Sequence, residues 1–143
     1  MNKSFRGRLN DNEHKRIRLS TNDGLTGYKI VKFQIIGVSE NQTSEGTCKI
    51  FSMLQEEVTT PTTSINFSNP TLLAAGTFGD SSATPGNASA IIVFDNMVIN
   101  QDIYVAWADG FAQRINYYIE LEKVKLDLNE ATVATLKDMR GRE

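Results

Sequence analysis

The chain has 143 residues, a formal net charge of −2 and a single cysteine. This length suits one domain that buries enough apolar surface to fold without disulfides, and one cysteine allows no internal disulfide. No apolar run approaches the roughly 20 residues that cross a bilayer, and the N-terminus lacks the apolar segment of a signal peptide. We therefore expect a soluble protein that is made in the cytoplasm and not exported by a standard secretory signal.

The N-terminal segment is basic. Residues 1–18 carry six cationic side chains against Asp11 and Glu13, a local charge of +4, and these six are Lys3, Arg6, Arg8, Lys15, Arg16 and Arg18. Two interpretations stay open: residues 1–15 form an arm that touches an acidic surface, or they form a solvated arm or edge strand whose charges deter aggregation. Because a reader of duplex DNA needs a broader basic surface, nucleic acid is not an expected partner.

Short apolar segments separated by turn residues follow. We predict strands over residues 16–20, 28–37, 47–55 and 64–67, which are apolar or β-branched and bounded by polar residues. Asp23–Gly24 favours a tight turn because glycine tolerates a positive φ. The segment 69–80 suits a helical turn as well as a strand.

The second half of the chain is more strongly β. Residues 80–87 form a loop by composition, and the segments 88–99 and 101–109 are rich in β-branched and aromatic residues. In 114–126, apolar residues occupy odd positions from Ile115 to Leu121 and even positions from Val124 onward. One inserted residue would keep both sets on one face, so we predict a β-bulge, or a bend, near Glu122–Lys123.

The last segment changes to a helical pattern. Residues 128–141 place Asn129 as the N-cap, Glu130 in the first turn, Val133 and Leu136 at helical spacing, and Gly141 past the end. A helix of about 11 residues is marginal alone, so it must dock on its own domain or on a neighbouring subunit.

These elements predict an all-β fold, because strands recur without the strand–helix alternation of a parallel sheet. We expect an antiparallel β-sandwich, jelly-roll-like, with a short C-terminal helix. The organisation is then a basic arm over residues 1–15, a sandwich domain over 16–127, and a helix with a tail over 128–143.

The carboxylates of Glu120 and Glu122 are the best candidates for catalysis. They share one face of a predicted strand about 6.5 to 7 Å apart, which overlaps the carboxyl separation of inverting glycosidases. Asn116 and Tyr118 lie on the same face, which is typical of the polar side of a half-buried strand. We favour a solvent-facing role and predict no catalytic residue, with a glycosidase as the alternative.

Metal and cofactor motifs are missing from the sequence. His14 is the only histidine and lies in a polar stretch, and Cys48 reads as a small buried hydrophobe, so no zinc ligand set is present. We predict no cofactor and no metal site, although aspartates could still build a calcium site without a spacing signature, from Asp80, Asp95, Asp102 or Asp109.

Aromatic residues divide between core and surface. Trp107 shares its strand face with Ile103 and Val105, which favours core packing. Tyr104 and Tyr118 are better candidates for a surface or a subunit interface.

The segments "RGRL", "YKIVKFQI", "DNMVINQDIYV" and "NYYIELEKVKLDLNEATVATLKDMRG" resemble a group of small proteins found among the virion genes of marine tailed phages. The resemblance spans nearly the whole chain and is strongest from residue 91 to residue 141. It implies a virion structural or capsid-associated role, and it carries over no functional residue.

We therefore expect a capsid decoration or cement subunit, located in the virion, that binds the head shell as a symmetric oligomer. Its expected partners are the major capsid protein or other virion proteins and further copies of itself, with no membrane. The predicted contact residues are Phe5, Arg6, Arg8, Arg16 and Arg18 in the basic segment, the tyrosines Tyr104 and Tyr118, and Leu136, Met139 and Arg140 in the helix.

Two other functions stay open. Within the same class, the protein could be a tail, neck or fibre-base component. From a different class, it could be a carbohydrate-binding adhesion module that uses Tyr104, Tyr118 or the loop 80–87.

Overall fold

The computed structural model describes residues 2–21, 24–39, 43–80 and 89–140, apart from the side chains of residues 137–140. The predicted loop 80–87 lies almost wholly outside these ranges. The elements in chain order are β1 (Asn2–Leu9), β2 (Glu13–Ile17), β3 (Thr26–Gly37), β4 (Ser44–Phe51), α1 (Glu56–Thr59), β5 (Leu72–Asp80), β6 (Ser89–Phe94), β7 (Ile103–Asp109), β8 (Ile115–Lys125) and α2 (Leu128–Arg140).

The strands form two antiparallel sheets, with the orders β1-β8-β3 and β2-β7-β4-β5-β6. The pairs β1–β8, β2–β7 and β4–β5 are nested in sequence, as in a long hairpin rolled on itself, which is the jelly-roll arrangement. β6 pairs with its sequence neighbour β5 rather than with β3. The predicted antiparallel β-sandwich with a short C-terminal helix is confirmed.

The core lies between the two sheets. The odd-numbered side chains of β8 from Ile115 to Leu121 are all buried there, as alternation predicts. Trp107 is fully buried, as predicted, and its indole N–H donates to the carbonyl of Gln113 at 2.8 Å. Gly46 makes room for this ring, because a Cβ at that position would lie 2.2 Å from an indole carbon.

The N-terminal residues are edge strands and not an arm. β1 pairs with β8 along its whole length, and β2 pairs with β7. Leu9 and Ile17 are buried in the core, and Phe5 packs against it. The predicted boundary between an arm over 1–15 and a sandwich over 16–127 is therefore wrong, because alternate apolar side chains anchor this segment from β1 onward. The edge-strand alternative is the correct one.

The predicted bulge lies on a different strand. The register of β8 runs without a shift through Glu122–Lys123, whereas β3 has an irregularity at Val31. The inward residues of β3 are even-numbered before Val31 and odd-numbered after it, which is the change of parity that an inserted residue produces. Val124 and Leu126 belong instead to a second apolar cluster beneath α2.

Helix α2 docks through its smallest side chains. Ala131 and Ala134 pack on Leu126, while the N-terminus is closed by a capping box. The carboxylate of Asp127 accepts from the backbone N–H of Glu130 at 2.7 Å, and the Glu130 carboxylate accepts from the Asp127 N–H at 3.4 Å. The predicted N-cap at Asn129 is wrong by two residues. Within the described ranges, neither helix combines the length and hydrophobicity needed to cross a bilayer.

The segment after β4 covers the outer face of that strand. Lys49 is buried there, and its ammonium donates to the carbonyl of Ser64 at 2.7 Å and to the Thr62 hydroxyl at 3.4 Å. Burial lowers the pKa of Lys49. The predicted strand over 64–67 is wrong, because this stretch is irregular and its first carbonyl, that of Ser64, accepts from the buried ammonium of Lys49.

Candidate functional site

Two rows of outward-facing side chains cross the three-stranded sheet near one end. Direct cross-strand pairing builds one row from Arg6, Tyr118 and Gln34, and the next from Arg8, Asn116 and Ile36. These residues face away from the core because the alternate residues of β8 bury the opposite face. The structure thus brings together three of the predicted contact residues, Arg6, Arg8 and Tyr118.

A groove of about 920 Å³ is lined by residues of both rows and by their strand neighbours Gly7, Ile35 and Tyr117, and its volume lies within the usual size range of ligand sites. The groove extends to the other sheet, where Ala90 and Ile92 of β6 contribute its far wall. We call it the arginine groove. Among its described lining residues there is no acidic side chain, so its charge is positive and its far wall is apolar.

Arg6 and Arg8 occupy alternate positions of β1, so their Cα atoms lie about 6.5 to 7 Å apart along the strand. Both side chains are exposed, and within the described ranges neither forms an ion pair. A guanidinium binds a carboxylate through two parallel hydrogen bonds. The arginine groove is therefore suited to a partner that presents carboxylates or other anionic groups.

Glu120 and Glu122 lie on the same outer face, beyond the arginine groove. The carboxylate of Glu120 accepts from the side-chain amide of Asn2 at 2.9 Å, and Glu122 forms an ion pair with Lys29 at 3.3 Å. The side chain of Glu122 is 45% exposed. These contacts place both carboxylates on the solvent side of β8, each held by a different neighbour.

Tyr118 is flanked by a lysine. The ammonium of Lys32 lies over the Tyr118 ring, 5.8 Å from its centroid, in a cation–π arrangement. A sugar ring that stacks on this face of the tyrosine must first displace the ammonium. The arrangement favours anionic groups over neutral sugars as ligands of the groove.

Arg16 and Tyr104 meet at a different place, where they are cross-strand partners. The guanidinium of Arg16 donates from Nε to Asp102 at 2.7 Å, and Asp102 also accepts from the backbone N–H groups of Leu19 and Ser20 at 2.8 and 3.0 Å. Arg16 is therefore engaged within its own chain, and its contact with a partner stays a prediction.

Hydrogen bonding determines the charge state of Asp102. Burial by itself would raise the pKa of Asp102, but the N–H groups of Ser20 and Leu19 and the guanidinium of Arg16 outweigh it and lower this pKa to about 2. The carboxylate of Asp102 lines a hollow of about 350 Å³ beside Tyr104. Its negative charge is balanced by the guanidinium of Arg16.

The other predicted contact residues are scattered. Phe5 is on the inward face of β1 and packs against the core, so it is separated from Arg6 and Arg8. Arg18 is exposed beyond the end of β2, and Leu136 is 46% exposed on α2. The backbone of α2 reaches Arg140, and the side chains of Met139 and Arg140 lie outside the described residues.

The residues considered for metal or thiol chemistry lie apart. Cys48 is fully buried in the core, as predicted, and burial raises the pKa of its thiol. His14 is exposed on β2. Across the described ranges, no three His, Cys, Asp or Glu side chains gather in a way that could hold a metal ion.

An apolar surface at β6 is a second candidate that sequence analysis missed. Ile91 and Val93 are 71% and 51% exposed, and Phe67 and Phe94, which are 71% and 40% exposed, line a hollow together with Val93. We call these four residues the β6 patch. The signal was present in "SAIIVF", where consecutive apolar residues without a charge depart from the alternation of a strand with one wet face.

The fold and its surfaces define an antiparallel β-sandwich of jelly-roll type that carries a cationic groove on one sheet and an apolar edge on the other. Comparisons of the chain with protein-family models, with curated proteins and with solved structures found no match.

Proposed function

We propose that the protein is a structural component of a tailed-phage virion, a decoration or cement subunit that binds the head shell as a symmetric oligomer. The arginine groove is its attachment site in this proposal. The observation that carries it is the pair of exposed arginines, Arg6 and Arg8, beside an apolar wall. The assignment to a phage particle rests on the resemblance to virion proteins of marine tailed phages. It does not rest on the fold, because jelly rolls also occur in lectins and a fold does not define a function.

Attachment combines charge and apolar contact. Carboxylates on the coat surface would bind the two guanidinium groups, while Ile36 and Ile92 would bury apolar side chains that lie between those carboxylates. Each contact is small. Many copies on a symmetric shell gain avidity because one attachment raises the effective concentration of the next.

Capsid binding by point variants tests this attachment. Removing residues 2–12 would delete β1, so we choose Arg6→Gln with Arg8→Gln, which keeps the strand. The control is Lys125→Gln, at an exposed cationic residue of β8 outside the arginine groove. Co-sedimentation with purified capsids that lack the protein should show binding at least about tenfold weaker for the double variant, since each charge-assisted hydrogen bond contributes about 1.5 to 3 kcal/mol. Lys125→Gln should bind like the wild type.

Equal binding by the double variant and the wild type would rule out the arginine groove as the attachment site.

The copy number per virion distinguishes a head decoration protein from a tail, neck or fibre-base component. Quantitative mass spectrometry of purified virions should find hundreds of copies for a head decoration protein. A few copies would identify a tail, neck or fibre-base component, and absence from the particle would overturn the proposal.

One observation favours carbohydrate binding as a second candidate. Asn116, Gln34 and the Tyr118 hydroxyl line the arginine groove, and amides and hydroxyls are common partners of sugar hydroxyls. The ammonium of Lys32 over the Tyr118 ring stands against it. A glycan array with acidic and neutral glycans distinguishes the two, and no signal above background would remove this candidate.

A further inference from the structure

The four edges of the two sheets differ in charge. β1 and β3, the edges of the three-stranded sheet, carry lysines or arginines, and so does β2 at one edge of the five-stranded sheet. β6, at the other edge, reads "SAIIVF" and carries no charge. Charges on edge strands deter pairing with other strands, and β6 lacks this protection.

β6 is also accessible. It pairs with β5 on one side, and no described residue pairs with the backbone on its other side. The β6 patch lies next to this edge, with Ile91 71% exposed. An unpaired apolar edge of this kind is a template for another strand, and a stable soluble protein needs it to be covered.

We infer that β6 pairs with β6 of a second copy of this chain, antiparallel across a two-fold axis, and joins the two five-stranded sheets into one. Charge favours self-pairing at β6 over self-pairing at the other edges. β1 and β3 carry lysines or arginines and no acidic residue, so self-pairing would set like charges near each other, for example Lys29 and Lys32 of β3. β2 would bring Lys15 and Arg16 of the two copies together except in a register that pairs Lys15 with Glu13. β6 can face itself without repulsion, which an isologous interface requires.

Side-chain alternation restricts the register of this pairing. A two-fold axis normal to the sheet places outward residues of one copy opposite outward residues of the other, so positions of equal parity must pair. Ile91 therefore faces Val93 when Ile92 lies at the axis, or faces its own copy when Ile91 lies there. In both registers β-branched side chains meet on the outer face, a favourable cross-strand pairing.

Pairing through β6 has a consequence for attachment. Ala90 and Ile92 of β6 form one wall of the arginine groove, so two grooves would lie on either side of the two-fold axis. The dimer would then bind a shell bivalently. This gives the symmetric oligomer of the proposed function an interface and in that respect rests on it, but the dimer forms in solution without capsids and is tested there.

Sedimentation equilibrium of the full chain tests the interface. We expect the wild type to be a dimer at micromolar concentrations, and Ile91→Lys and Val93→Lys to raise the dimer dissociation constant about 100-fold or more, since a two-fold axis introduces each lysine twice. Leu128→Lys is the matched control, because Leu128 is an exposed apolar residue of α2, away from β6. It should leave the dimer intact, and unchanged circular dichroism should show that all variants are folded.

A monomeric wild type would overturn the inference, as would a dimer that survives Ile91→Lys or dissociates with Leu128→Lys.

Cross-linking tests the register independently. Oxidation should link Ile91→Cys to Val93→Cys in a mixture of the two proteins, or Ile91→Cys to itself, because paired Cα atoms lie about 4.5 to 5.5 Å apart. Cys48 is buried and does not compete. The absence of both links would refute the inferred strand pairing, and a capsid assay of monomeric Ile91→Lys separates a failure of this dimer from a failure of the arginine groove.

Discussion

The two edges of the five-stranded sheet have opposite surfaces. β2 reads "EHKRI", in which four of five residues are charged or titratable, and Arg16 is fixed by Asp102. β6 reads "SAIIVF", with no charge and with side chains exposed along most of its length. Within the described part of the chain, each of the two strands pairs with one neighbour only.

We infer from this contrast that strands can be added at β6 more easily than at β2. A charged edge costs desolvation and repulsion for any incoming strand, whereas an apolar edge gains area and backbone hydrogen bonds. One protected edge and one unprotected edge on the same sheet allow a closed dimer and prevent open polymers. The arginine groove borders the unprotected edge, so association and attachment would act at neighbouring places.

The largest effect is expected when β2 is made to resemble β6. Replacing His14 and Lys15 by valine removes charge from the protected edge while keeping the ion pair of Arg16 with Asp102. Each β6 dimer would then carry two additional apolar edges at its far ends, and pairing through them gives chains that do not close. Light scattering should show a mass that rises with concentration well beyond that of the dimer. Arg18→Val, outside the strand, is the control, and a double variant that stays dimeric would contradict the protective role of β2.

A smaller effect is expected from the carboxylate that holds the protected edge. The pKa of Asp102 is lowered to about 2, so its contribution is complete above its unfolded pKa near 4 and is lost as the pH falls through 2. We expect about 1 to 2 kcal/mol of unfolding free energy from this group, since solvent at the hollow screens part of the interaction. Urea unfolding of the wild type and Asp102→Asn should show a difference that shrinks between pH 5 and pH 2. A constant difference over that range would contradict the assignment.

The sequence predicted most strands because their alternation is strong. Residues 115–121 show it most clearly, and Trp107 was assigned to the core because alternation places it on the same face as Ile103 and Val105. The N-terminal segment was misjudged because its charges drew more weight than the alternation of Phe5, Gly7 and Leu9, which marks the inward face of β1. The bulge was predicted on the wrong strand. The apolar side chains of β8 change from odd to even positions because helix α2 buries Val124 and Leu126, and the sequence of β8 alone does not show this.

The candidate site was only partly predictable. Arg6, Arg8 and Tyr118 were singled out individually, but their meeting depends on the register of β1 with β8, which no local pattern encodes. The pairing of Arg16 with Asp102 joins residues 86 positions apart. The β6 patch was missed because an apolar strand reads as core until the sheet order places it at an edge.

The smallest effect is expected on β8, which has no free edge because it lies between β1 and β3. Its outward carboxylates Glu120 and Glu122 cannot protect an edge, and each makes one exposed contact, with Asn2 or with Lys29. Replacing both by glutamine should change the unfolding free energy by about 0.5 kcal/mol or less, as exposed pairs usually contribute little. Urea unfolding and sedimentation should show a stable dimer like the wild type. A hydrolytic activity toward glycans that disappears in this variant would instead make the two carboxylates a catalytic pair, and the outer face of this sheet would then have a second role besides attachment.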